Sequence, residues 1–182
     1  MRELSLNILD ITENSLKANA TLVNVDIVVF ENTLSITIKD NGCGMTPEFL
    51  AKVTDPYTTT RTTRKVGLGI PLIKMEAEMA GGSFEIASQV GVGTTVTTTF
   101  LVDHIDRPPL GDVGETMMTL LTELGNTRIV FTYASNDQSF CFDTYEIQQQ
   151  LDGVPLDTPE ILLFVKQMIN ENINTINGGI ML

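Results

Sequence analysis

The sequence predicts an α/β (α+β) protein: an opening helix, then two pairs of strands separated by helices, then a small α+β region. Three observations predict it. Residues 2–18 repeat apolar side chains at helical spacing, and residues 22–38 alternate them at strand spacing. The charge balance then changes near residue 103, which separates a main domain from an acidic C-terminal region.

In order along the chain, Leu4, Ile8, Ile11 and Ser15 share one stripe of a helix over 2–18, with Leu9 and Leu16 beside it. Val23, Val25, Ile27 and Val29 alternate in a first strand, Glu31-Asn32 makes a turn, and Leu34, Ile36 and Ile38 alternate up to Asp40. Thr46-Pro47 announces a short helix, because Thr is a good N-cap and Pro suits the first helical position. A Thr-dense loop covers 54–66, and a helix from about Ile70 to Ala80 stops at Gly81-Gly82. Ser83–Ser88 and Thr94–Val102 read as two strands joined by a glycine-containing turn.

Beyond residue 103 the sequence changes character. His104 to Asp112 contains Pro108-Pro109 and reads as a connector. Val113, Met117, Leu120, Leu121 and Leu124 form an amphipathic helix whose Met serves packing. Arg128–Ala134 and Ser139–Asp143 form a hairpin around Asn136-Asp137, and two helices follow, the second announced by Asp157-Thr158-Pro159-Glu160. Cys141, inside a strand, is expected in the core.

The 182 residues suit one domain with a small addition. A hydrophobic share of 42% with slightly positive mean hydropathy excludes a disordered chain. The net charge of −12 argues against nucleic acid as a partner, since few cations are available to meet phosphates. Residues 1–102 hold 8 basic and 11 acidic side chains, and residues 103–182 hold 3 and 12. Two cysteines make no disulfide framework, no signal-peptide core is present, and the longest apolar run, Ile161 to Val165, is far too short for a membrane span. A cytoplasmic protein without membrane attachment is the expectation.

Four motifs carry chemistry. On the first helix, Asp10, Asn14 and Lys17 share one face. An amide oxygen suits Mg²⁺, and a carboxylate one turn earlier is placed to take a proton from water. Glu13, about 100° round the helix from Asn14, is the weaker candidate base. At a strand end, Asp40-Asn41-Gly42-Cys43-Gly44-Met45 combines glycines that permit close backbone approach with a carboxylate able to accept from an exocyclic amine such as that of adenine. The small Cys43 side chain is read as filling a tight turn. Before the next helix, Gly67-Leu68-Gly69-Ile70 exposes backbone N–H groups to an anion. Arg61, Arg64 and Lys65 concentrate positive charge there, three of the seven Lys and Arg after residue 60. Gly91-Val92-Gly93-Thr94-Thr95 is the fourth, and taken alone it is a hairpin turn.

As an ordered set these segments resemble the GHKL superfamily of ATP-binding domains, which share the Bergerat fold. Glu13-Asn14-Ser15 looks like its N-box; the segments at 40–45, 67–70 and 93–95 look like its three glycine boxes; and the Thr-rich loop that ends in the second box, led by Asp55 to Arg61, looks like the ATP lid of histidine kinases. The resemblance covers residues 1–102. It implies a two-layer sandwich with a mixed sheet, with residues 103–182 as a C-terminal appendage. It further implies that Asn14 holds Mg²⁺ on the nucleotide phosphates and that Asp40 receives the adenine amino group in a pocket shaped by Gly42 and Gly44. Gly67 and Gly69 would wrap the phosphates, Thr94 or Thr95 would support adenine, and Arg61, Lys17 and Lys65 would neighbour the phosphates.

Two departures qualify the implied activity. Hydrolysing members of the superfamily usually carry Glu four residues before the Mg²⁺-binding Asn, where this sequence has the shorter Asp10. No helical domain presenting a phospho-acceptor His precedes the ATP site, so a complete sensor histidine kinase is not expected, and the single His104 reads as a loop residue. The expected ligands are ATP and Mg²⁺. The expected activity is slow hydrolysis or phosphoryl transfer to a protein, as in the anti-sigma-factor serine kinases of the superfamily, and the alternative is a nucleotide-sensing module without turnover. A protein partner is expected, and a homodimer is left open.

Overall fold

A computed structural model describes residues 3–54 and 69–179. Its elements are α1 (Leu4–Lys17), β1 (Leu22–Phe30), β2 (Thr33–Asp40), α2 (Pro47–Val53), α3 (Gly69–Met79), β3 (Ser83–Gln89) and β4 (Gly93–Leu101). After the connector come α4 (Val113–Thr122), β5 (Arg128–Ser135), β6 (Gln138–Asp143), α5 (Thr144–Gln150) and α6 (Pro159–Ile176). Each matches an expected element, and where the sequence predicts bounds the ends differ by at most two residues. The N-cap at Thr46 forms as expected, its side chain accepting from the Phe49 N–H.

The six strands make one mixed sheet in the order β3-β4-β2-β1-β5-β6, in which only β1 and β5 run parallel. Alternation decides its faces. Val23, Val25 and Ile27 of β1, Leu34, Ile36 and Ile38 of β2, and Val96 and Phe100 of β4 are buried under the helices. The intervening residues, among them Thr37, Lys39, Thr97 and Thr99, occupy the other face, where Val28 and Phe30 are exposed. Helices on one face of a sheet make the two-layer sandwich.

The residues after 103 continue this sheet. β5 pairs with β1 over Leu22–Val29, and Phe131, Tyr133, Met117, Val165 and Ile169 join the same buried cluster as Ile8 and Ile27. The connector also reaches back: the Pro109 and Leu110 carbonyls accept from the Leu4 and Ser5 N–H groups at 2.9 and 2.8 Å. They satisfy donors that the first turn of α1 would otherwise leave unpaired, since Glu3 supplies no side-chain cap. Thr116 of α4 donates to the Ser5 carbonyl at 2.9 Å. Asn170 of α6 in turn accepts from the Gly114 N–H at 2.9 Å and donates to the Asp112 carboxylate at 2.8 Å. Gly114 is required there, because a Cβ would lie 2.4 Å from the Lys166 carbonyl oxygen.

One expectation is corrected. Cys141 is exposed, because it lies on edge strand β6 opposite Thr132, while the next residue, Phe142, takes the buried face. Met117 packs in the core as expected. Among the described residues no helix is long and apolar enough to cross a membrane.

Asp143 ties the two ends of the β5–β6 hairpin to α5. It caps the helix by accepting from the Tyr145 N–H, and both its oxygens accept from Arg128, whose guanidinium lies 5.3 Å from the Tyr145 ring centre. The hydrogen bonds from Arg128 hold the Asp143 carboxyl below the usual carboxylate range. A depressed folded pKa stabilises above the unfolded value, and the contribution is lost as pH falls through the folded value. Asp143→Asn keeps the cap and removes the charge. Urea titrations should therefore find the variant less stable at pH 7, and the gap to wild type should close as pH drops below about 4. A gap independent of pH would show that the ion pair contributes nothing.

Candidate functional site

The site forms where α1 crosses the end of β2. Ser15 ends the buried stripe of α1 begun by Ile8 and Ile11, so its hydroxyl points down at the sheet. It donates to Asp40 Oδ2 at 2.8 Å. Asp40 Oδ1 accepts from the Gly42 N–H at 2.9 Å and from the Thr94 N–H at 3.2 Å. One carboxylate thus joins the first helix, the loop after β2 and the start of β4. Charge-assisted acceptance of this kind fixes the carboxylate's direction without a cation.

The glycines of the loop are matched to close approaches. A Cβ on Gly42 would lie 2.9 Å from both the Cβ and the carbonyl oxygen of Ala18. Gly44, at φ +65°, would place one 2.0 Å from the Gln89 carbonyl, and Gly93, at φ +130°, 2.0 Å from the Asp40 carbonyl. Backbone bonds seal the same contacts: Cys43 N–H to Ala18 O at 3.0 Å and Gly91 N–H to Cys43 O at 2.9 Å. Asn41 Oδ1 accepts from the Thr21 and Leu22 N–H groups, both at 2.9 Å, which anchors the loop to the start of β1.

Ser88, on the inward face of β3, completes the cradle. Its hydroxyl accepts from the Met45 N–H at 2.8 Å and lies 3.0 Å from the Gly93 carbonyl and 2.9 Å from Thr94 Oγ1. Sequence reasoning missed both serines. Ser15 carried a signal, a hydroxyl within an apolar stripe, whereas Ser88 had only its inward parity.

On α1, Asn14 is half-buried and its side chain makes no hydrogen bond within the described residues. Asp10, one turn earlier, is exposed and packs on the start of α3: a Cβ at Gly69 would lie 2.8 Å from the Asp10 Cβ. The carboxylate therefore stands beside a helix N-terminus, where backbone N–H groups favour an anion. Glu13 is committed to Lys17 in an i,i+4 ion pair of 2.7 Å, and Lys17 is largely exposed. Asn14, Asp10 and Gly69 are thus brought together, and Glu13 and Lys17 turn toward each other.

Two expectations differ from what is observed. Thr94 lies on the side of Asp40, but Thr95 has the opposite parity, in register with Lys39 and Ala87 on the face away from the helices. Cys43 does not fill the turn; it is exposed, and its Sγ donates to the neighbouring Gly44 carbonyl at 3.5 Å. Arg61, Arg64, Lys65 and Gly67, with the Thr-rich lid, lie outside the described residues. His104 follows the far end of β4, where it accepts from the Asp106 N–H at 3.2 Å as an ordinary loop residue. The cavity lined by Leu121, Arg128, Tyr145 and Leu156 contains none of the motif residues.

Residues 2–104 match the family model described as histidine kinase-, DNA gyrase B-, and HSP90-like ATPase. The chain is 31% identical over 102 residues to histidine protein kinase DivJ of Caulobacter vibrioides, covering 53% of this chain and 17% of that one. It is 34% identical over 87 residues to an uncharacterized sensor-like histidine kinase of Rhizobium meliloti, covering 45% and 17%. The chain therefore spans about a sixth of the length of these curated relatives. Among solved structures, the N-terminal domain of a DNA repair protein superposes with a TM-score of 0.53 at 13% identity, covering 79% of this chain and 53% of the other. At that identity it shows the fold alone.

The contact of Gly93 with Asp40 predicts the effect of closing it. Gly93→Ala combines an unfavourable φ with a clash against backbone, and should destabilise by about 2–4 kcal/mol in urea unfolding. Alanine at the neighbouring Gly91, where a Cβ meets nothing within 4 Å, should cost clearly less because only the backbone strain remains. Equal losses at the two positions would contradict the close-approach account.

Proposed function

The chain belongs to the histidine kinase-, DNA gyrase B- and HSP90-like ATPase family, and from that membership we propose that it binds ATP with Mg²⁺ and acts in regulation, either by slow hydrolysis or by passing the γ-phosphate to a protein. Residues 1–102 form the nucleotide-binding part in this reading, and residues 103–182 serve partner contact or regulation. The observation that carries it is the Asp40 carboxylate, gripped by Ser15, Gly42 and Thr94 and so aimed as a fixed acceptor at the end of the sheet. An adenine amino group is a matching donor.

Asn14 fits the metal. Its amide oxygen is a hard neutral donor, half-buried and uncommitted within the described residues, and Mg²⁺ takes one or two protein oxygens together with phosphates and water. When bound, the ion neutralises charge on the phosphate oxygens. Asp10 is the general base: it takes a proton from water, or from a substrate hydroxyl, as that oxygen bonds to the γ-phosphorus and the bond to the β,γ-bridging oxygen breaks. Glu13 is the weaker candidate because it lies about 100° round the helix from Asn14. Gly69 and the outlying Arg61, Lys65 and Gly67 supply phosphate contacts. The named relatives are histidine kinases, which supports a protein as phosphate acceptor, and the work is assigned to the cytoplasm.

Calorimetry with ATP and Mg²⁺ tests the reading. Wild type should bind, Asp40→Asn should weaken binding about ten- to a hundredfold, and Asn14→Ala should remove its dependence on Mg²⁺. Asp10→Asn should retain ATP but lose phosphate release or label transfer to a co-purified protein. Tight binding with neither activity in the wild type would leave a nucleotide-sensing module. Absence of any adenine-nucleotide binding would falsify the proposal.

A further inference from the structure

We infer that Ser88 sets the base specificity of the pocket: it fixes the direction of the Thr94 O–H bond, which leaves Thr94 Oγ1 as an acceptor that selects a purine whose amino group is at ring position 6. The inference rests on the adenine-nucleotide reading and concerns how that site tells adenine from guanine. Ser88 itself reaches no base; it is a positioning residue acting through Thr94.

Proton counting around one hydroxyl carries the argument. A serine hydroxyl has one proton to give and two lone pairs to offer. Ser88 has three partners of different kinds. The Met45 N–H, at 2.8 Å, can only donate. The Gly93 carbonyl, at 3.0 Å, can only accept. Thr94 Oγ1, at 2.9 Å, can do either. Ser88 must accept from Met45, and its single proton goes to Gly93, which leaves one lone pair. Thr94 is therefore the donor in the remaining contact. The other assignment, with the Ser88 proton on Thr94, would leave two oxygens 3.0 Å apart with no proton between them.

Once the Thr94 proton is used, its oxygen can only accept. The Thr94 backbone N–H is already given to Asp40 Oδ1. This wall of the pocket therefore presents acceptors, Asp40 and Thr94, and neither offers a donor. Adenine brings an amino group to such a wall, directly or through a water that it orients. Guanine brings a carbonyl oxygen at the same ring position and meets lone pairs. A site built to satisfy a donor discriminates strongly against a ligand that lacks one.

The test compares ATP, GTP and purine riboside triphosphate, which lacks the amino group, on the full chain with Mg²⁺. Wild type should prefer ATP to GTP by about a hundredfold or more, and should bind purine riboside triphosphate at least about tenfold more weakly than ATP. In Ser88→Ala the Thr94 hydroxyl turns freely, and the ATP-to-GTP preference should fall about tenfold. Ser88→Thr restores the hydroxyl and should restore the preference. If Ser88→Ala weakens both nucleotides equally, Ser88 is merely structural and the inference is overturned. Should that variant not fold, the ligand series in the wild type still decides, because equal affinity for ATP and purine riboside triphosphate overturns the inference. Failure of wild type to bind ATP at all would instead sink the nucleotide reading beneath it.

Discussion

The Asp40 carboxylate is the constraint on which the rest of the site depends. Its three donors come from residues 15, 42 and 94, distant in sequence, and each belongs to a different element. Oδ1 holds two backbone N–H groups and Oδ2 holds a buried side-chain hydroxyl, so the carboxylate cannot rotate without leaving a donor unpaired. A buried donor without its acceptor costs about 1–3 kcal/mol. Helix, loop and strand are therefore fixed relative to one another by one small group, and whatever meets Asp40 meets a preorganised acceptor.

That convergence also explains where glycine is needed. The loop after β2 passes between Ala18 on one side and the β3–β4 hairpin on the other. At Gly42, Gly44 and Gly93 the opposing atoms include backbone, which cannot move aside as the end of a flexible side chain could. Close approach at Gly44 brings the Met45 N–H within 2.8 Å of Ser88, and Ser88 ties it to the start of β4. Backbone proximity is thus the condition for the polar network, and the polar network is what orients Thr94.

Most of the fold was legible in the sequence because it follows from periodicity. Alternation in 22–30 and 34–40 placed the buried face correctly, and Thr46-Pro47 marked a real cap. The order of strands was not legible. Nothing local reports that β5 runs parallel beside β1, since that pairing is made across about a hundred residues of chain. For the same reason the change in charge at residue 103 does not report that β5 and β6 extend the existing sheet beyond β1. Cys141 is exposed although it lies in a strand, because strand residues alternate and an edge strand exposes one face. The pair Thr94-Thr95 was left ambiguous until register put one on each side of the sheet. Ser88 escaped because its role lies in three contacts that no spacing encodes.

The acidity of the last 80 residues and their place in the architecture then separate into two matters. Charge is a surface property, and most of these carboxylates lie on exposed positions such as Glu123, Asp152 and Glu171. Packing is interior, and there the same segment is inseparable from the site. Carbonyls of Pro109 and Leu110 hold the first turn of α1, Thr116 holds Ser5, and Asn170 of α6 holds the start of α4. About one and a half to three turns farther along, α1 presents Asp10, Asn14 and Ser15. A helix is stiff over 14 residues, so a shift at its N-terminal grip displaces the side chains at the other end. The acidic surface therefore sits on elements connected, through α4 and α1, to the group that aims Asp40.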